Sequence, residues 1–247
     1  MSFKDHFSKH SAEYAIARPG YPPELFNYLS DLCSEHELAW DCATGNGQAA
    51  QSLVKYFASV IATDGSEGQI AAAKPLANIE YRVATAEQAD LLAGSVDLIT
   101  VAQALHWFSM GEFFENCDRV LKPGGVLAVW SYGMCFISSE VDQIINSLYA
   151  ETLDEYWPEE RRLVEQRYQN IEFPFTEVSD LPTFSMTVRW TLEQLSAYLL
   201  SWSATQRYIT ANHLDPVAAI ADELASAWGQ SLEKTVQWPL TLVVSRK

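Results

Sequence analysis

Basic side chains are scarce in this chain. It carries 16 Lys and Arg against 32 Asp and Glu in 247 residues, a formal net charge of −16. Phosphate contacts need clustered Lys and Arg, so this balance argues against a dedicated nucleic-acid binder. Long apolar runs are also missing. No stretch reaches the roughly 18 consecutive apolar residues of a spanning helix, so no membrane segment is expected. The opening, Met1 to Arg18, is polar and mixed in charge, without the apolar centre of a signal peptide. Cysteine is sparse, and Cys33, Cys42, Cys117 and Cys135 stand far apart. There is no CxxC, which points away from a zinc site, any other metal centre and a disulfide framework. Four free thiols in a reducing cytoplasm is the expectation. No internal repeat or low-complexity tract interrupts the chain.

Apolar residues, by contrast, make up 48% of the sequence, enough for a sizeable core. At about 150 residues per domain, the length gives one to two domains, and an α/β core with an insertion runs to this size. Pro22 and Pro23 set a turn and open a helix over Glu24–Leu32. Short apolar runs at Leu38–Cys42, Val60–Thr63, Ile79–Val83, Val96–Val101 and Val126–Trp130 read as strands. Helical spacing over Gln48–Phe57, Ser66–Lys74 and Glu112–Leu121 alternates with them. That rhythm predicts a parallel sheet buried on both faces by helices.

After Gly133 the rhythm changes. Residues 138–170 read as mostly helical, with a charged run, Glu159 to Arg162, expected on a solvated helix face. Phe184–Trp190 and Trp238–Ser245 read as late strands. Thr191 with Gln194 forms a capping box for a helix to about Ala204, and Asp215-Pro216 opens another to about Trp228. The division expected is a lid and helix at 1–34, a cofactor-binding core at 35–133, a helical cap at 134–183, and residues 184–247 completing the sheet.

The chemistry concentrates in Asp41-Cys42-Ala43-Thr44-Gly45-Asn46-Gly47-Gln48, between the first strand and its helix. A glycine turn there lets backbone approach a ligand closely. Asp64, followed by Gly65, ends the second strand, where a carboxylate accepts both hydroxyls of a ribose. Together they indicate a nucleoside-containing cofactor. NAD is one candidate, since Gly45, Gly47 and Ala50 approximate its fingerprint. Asp41 would repel a pyrophosphate but suits a cofactor carrying an ammonium and a sulfonium, which favours S-adenosylmethionine.

The same residues resemble the first motif of the class I S-adenosylmethionine-dependent methyltransferases. Tyr14, Arg18, Pro19, Tyr21 and Pro22 resemble the N-terminal signature of a branch that includes trans-aconitate methyltransferase-like proteins. Ser95 to Phe108 resembles that branch's fourth-strand motif, and Leu121-Lys122-Pro123-Gly124-Gly125 the turn before its fifth strand. The resemblance implies a Rossmann-like seven-stranded sheet with helices on both faces and a cap inserted after strand five. It implies S-adenosylmethionine as cofactor and S-adenosylhomocysteine as product.

By resemblance, Asp41 lies near the methionine amine, with Ala43, Gly45 and Gly47 forming the turn beneath. Asp64 takes the ribose, Ala86 and Glu87 border the adenine, and Gln103 and Ala104 contact the amine through backbone carbonyl. Tyr14 and Arg18 belong to a lid, with Arg18 pairing the methionine carboxylate. Two positions depart from the family. Ala43 stands where glycine is frequent, and Thr85 where related enzymes often have an acid.

His106 is the candidate general base; the alternative is a wall residue bonded to backbone. Trp107 is a candidate acceptor-side residue, alongside the alternative that it packs the pocket. Arg189 and Arg207 are candidate anchors for an anionic acceptor. The expected reaction is methyl transfer to a small molecule, with an organic-acid carboxylate as a candidate. A non-catalytic adenosyl-cofactor binder and an NAD(P)-dependent oxidoreductase are the alternatives.

Overall fold

The computed structural model describes residues 19–247. Tyr14 and Arg18 lie outside the described residues. The sheet is built from β1 (Leu38–Cys42), β2 (Ser59–Asp64), β3 (Ile79–Val83), β4 (Val96–Ala102), β5 (Leu121–Tyr132), β6 (Thr176–Glu177), β7 (Ser185–Trp190) and β8 (Lys234–Arg246). Its order is β3-β2-β1-β4-β5-β8-β6, with β7 also on β8. The first five strands pair in parallel, and β8 runs antiparallel to β5. The order reverses between β1 and β4, the switch point at which open α/β sheets bind ligands.

Among the described residues, eight strands form the sheet in place of the seven expected. The additional one is β6, which lies on the same edge of β8 as β7. Thr176 stands opposite Arg246 and Ser185 opposite Pro239, so the two form a single edge broken by residues 178–184.

Both faces of the sheet are buried. On one face Trp40, Ile99, Val101, Leu127 and Val129 meet Phe113, Cys117 and Val120 of α4 (Met110–Val120). On the other, Ala39, Val60, Ala62, Leu98 and Val126 meet α1 (Pro23–Asp31) and α2 (Gln48–Leu53). Alternate side chains thus enter opposite cores, which is why these strands read as unbroken apolar runs. α3 (Glu67–Ala72) follows β2, its N-terminus capped by the Ser66 hydroxyl.

A third apolar cluster joins α5 (Ser139–Ser147) to α7 (Leu192–Leu200), α8 (Ser203–Asn212), α9 (Pro216–Ala219) and α10 (Ala221–Trp228). The helices after Gly133 therefore share their core with those after Thr191. α6 (Arg161–Glu165) packs against the 3-10 turn Leu105–Trp107. The Thr191–Gln194 capping box is present in both directions. The single helix expected from Thr191 to Ala204 is interrupted. Trp202 takes an extended conformation there and is buried against the rings of Tyr149, Trp157 and Tyr198.

Candidate functional site

A cavity of about 860 Å³ opens over the C-terminal ends of β1, β2 and β4. Asp64 ends β2 and lines it. Its Oδ2 accepts from the Gly45 N–H at 2.9 Å and its Oδ1 from the Ser66 N–H at 2.8 Å. One carboxylate therefore ties the loop after β1 to the loop after β2 and still borders the cavity. Gly45, at φ +57°, and Gly47, at φ +88°, give the β1 loop its left-handed turns. Ala43 also sits at φ +53°, a conformation that explains why glycine is frequent at this place.

Asp41 lies beneath the loop, fully buried. It accepts from the hydroxyls of Thr44 and Thr100 and from the Ala50 N–H. Burial pushes its carboxyl up to about 6, against the opposing effect of those hydrogen bonds.

Two further segments complete the walls. Residues 84–88 line one wall, and the Asn116 amide of α4 holds the Ala86 carbonyl at 2.9 Å. Glu87 accepts from the Ser109 N–H at 2.9 Å. At the end of β4, Gln103 adopts φ +55° and clamps Tyr132 from both sides. Its Nε2 donates to the Tyr132 carbonyl at 3.0 Å and its Oε1 accepts from the Tyr132 N–H at 2.8 Å. Tyr21, Trp107, Phe108 and Tyr132 give the cavity aromatic surface.

The model of a methyltransferase domain matches residues 40–129 of this chain. A Dictyostelium discoideum protein that carries a methyltransferase name is 38% identical, covering 99% of this chain and 96% of that one. A solved Anaeromyxobacter dehalogenans protein, described as a type II methyltransferase, superposes with a TM-score of 0.87 at 37% identity. The match covers 93% of this chain and 97% of that one. The chain belongs to the class I S-adenosylmethionine-dependent methyltransferases. A Saccharomyces cerevisiae relative, named Probable S-adenosylmethionine-dependent methyltransferase CRG1, is 25% identical over 78% of both chains.

The cavity of this methyltransferase fits its family's cofactor. Among the described residues its lining carries Asp64, Glu87, Glu112 and Glu160 and no Lys, Arg or His. That donor set suits a diol and a group of net positive charge. It does not suit the two negative charges of a dinucleotide pyrophosphate.

Several expected site residues of the methyltransferase come together here. Ala43, Gly45, Asp64, Gly65, Thr85, Ala86, Glu87, Gln103, Ala104 and Trp107 all line the cavity. Asp41 and Gly47 do not; both sit behind the lining and shape the loop.

Three expected site residues lie outside the cavity lining. His106 is buried and does not line the cavity, with Nδ1 3.1 Å from the Tyr168 hydroxyl. Burial, with the Arg161 charge, depresses its imidazole to about 3, so it stays neutral. Arg189 is exposed on β7, where its Nε meets Glu233 at 3.1 Å. Arg207 is exposed on α8 and donates to the Tyr156 carbonyl at 3.3 Å. Neither arginine lines the cavity.

Sequence reasoning missed Glu160 and Tyr132. Glu160 belongs to the charged run assigned to a solvated face, yet it reaches the cavity mouth. No local signal distinguished it from its neighbours Glu159 and Arg162.

Proposed function

We propose that the cavity over β1, β2 and β4 is the S-adenosylmethionine site, and that its end over β4 and β5 receives a small-molecule methyl acceptor. The observation that carries this reading is the Asp64 carboxylate. It borders the cavity while its two backbone hydrogen bonds fix its orientation. In this reading Asp64 takes the ribose hydroxyls, residues 84–87 border the adenine, and Gly45, Gln103 and Ala104 flank the methionine part. Asp41 acts indirectly, by holding Thr44 and the start of α2.

S-adenosylmethionine, when bound, supplies a methyl group already activated on a sulfonium. The chain's own task is then to align an acceptor and exclude water. Tyr21, Trp107 and Tyr132 form walls suited to that. Gln103 holds Tyr132 in place, so the acceptor end has a defined shape. His106 takes no proton in this scheme; the acceptor presents its own lone pair.

Isothermal titration with S-adenosylmethionine, S-adenosylhomocysteine and NAD tests the reading. The two adenosyl ligands are expected to bind and NAD is not. Asp64→Ala is expected to weaken S-adenosylhomocysteine by at least about tenfold, equal to 1.4 kcal/mol. Unchanged affinity would remove Asp64 from the site.

A further inference from the structure

We propose that the acceptor is a cation or becomes one, an amine or nitrogen base, and that Glu160 is its charge partner. This rests on the cofactor assignment above.

The argument starts at the acceptor end of the cavity. Glu160 caps α6, and α6 packs on the turn Leu105–Trp107 at the end of β4. Glu160 therefore lines the cavity beside the segment that carries Trp107, and its side chain is exposed there. The next residue, Arg161, is the cation that would oppose it. Its guanidinium is held elsewhere, 5.2 Å over the Trp157 ring and 5.9 Å over the Tyr149 ring. Its Nε also donates to the Tyr149 hydroxyl at 3.2 Å. Glu160 thus faces the cavity while Arg161 is turned into the aromatic cluster of the cap.

The other charges in the lining have the same sign as Glu160. Asp64, Glu87 and Glu112 are acidic, and no basic side chain accompanies them among the described residues. A cavity lined by one sign of charge concentrates ligands of the other. Aromatic faces at the same end, from Tyr21, Trp107 and Tyr132, favour an ammonium or a flat heterocycle as well. Among the described residues, the lining offers a polycarboxylate four acidic side chains and no arginine fork of the kind that holds such groups.

The transfer balances for this class. An acceptor bound as an ammonium first loses a proton; the freed lone pair then forms the new bond to the methyl carbon, and the carbon–sulfur pair returns to sulfur. The proton lost by the nitrogen passes to water at the mouth, beside Glu160.

The test compares two probes that share a ring and differ in charge, phenethylamine and 3-phenylpropanoate. Each is titrated into protein saturated with S-adenosylhomocysteine. The amine is expected to bind at least about fivefold tighter, and Glu160→Gln to cut that preference at least about threefold, as for one partly exposed charge. Raised salt is expected to shrink the preference too. Equal binding, tighter binding of the carboxylate, or a preference indifferent to Glu160→Gln would overturn the proposal. Failure of S-adenosylhomocysteine to bind would instead overturn the cofactor assignment beneath it.

Discussion

Thr100 donates its hydroxyl to Asp41 Oδ1 at 2.7 Å, and the two residues are register partners across the β1–β4 boundary. The bond crosses the point where the strand order reverses. It ties the carboxylate that holds the β1 loop to the strand that ends in Gln103. The ligand end of the sheet is therefore braced from beneath by a buried acid with three donors around it.

Asp41 is expected to leave a mark on stability. Burial raises its carboxyl from an ordinary 3.8 to about 6. The folded state thus holds this proton more tightly than the unfolded state. Its contribution favours folding at low pH and is lost as pH rises from about 4 to 6, then stays constant. Asp41→Asn removes that component. Urea unfolding across this range is expected to show the stability difference, wild type minus variant, falling with pH. Parallel curves would contradict a buried, raised carboxyl. Asp41→Asn is also expected to weaken S-adenosylhomocysteine by about fivefold, through the loosened loop rather than a lost contact.

His106 is expected to behave in the opposite sense. Its imidazole is depressed from 6.5 to about 3, first by burial and then by Arg161. The unfolded chain takes up this proton before the folded chain does. Its contribution is present above pH 6.5 and is lost as pH falls toward 3. In proton NMR the His106 ring signals should hold their neutral positions from pH 8 to pH 5. Titration within that window would restore His106 as a candidate base. Replacement by Gln should abolish the acid-side loss of stability that this one group contributes.

Much of the fold was legible because its signals are local. The glycine turn after β1, the acid ending β2 and the Thr191–Gln194 capping box each depend on residues a few positions apart. The sheet followed from apolar runs that alternate with helical spacing. What was not legible depends on partners distant in sequence. The direction of His106 is set by Tyr168, 62 residues on. Arg189 is occupied by Glu233, 44 residues on. Glu160 and Arg161 are adjacent in a charged run, yet one faces the cavity and the other lies over Trp157. No periodicity in the run predicts that split. The broken edge formed by β6 and β7 was missed because two residues of strand carry no pattern of their own.

Gly47 and Tyr81 give the most direct test of how the β1 loop is held. Gly47 has φ +88°, and a Cβ built on it would stand 2.9 Å from Tyr81 Cε1 and overlap the Tyr81 hydroxyl. Gly47→Ala therefore incurs two costs, a strained backbone and a clash with β3. It is expected to destabilise the protein by at least about 1 kcal/mol. The Tyr81 hydroxyl is buried and has no hydrogen-bond partner among the described residues, so Tyr81→Phe alone should be neutral or slightly stabilising. In the Gly47→Ala background, Tyr81→Phe removes the closest atom and should recover part of the loss. The two substitutions should therefore be non-additive in a double-mutant cycle of thermal or urea unfolding. An additive cycle would mean that backbone strain alone sets the cost. The loop would then be shaped by its own glycines and Asp41, with no support from β3.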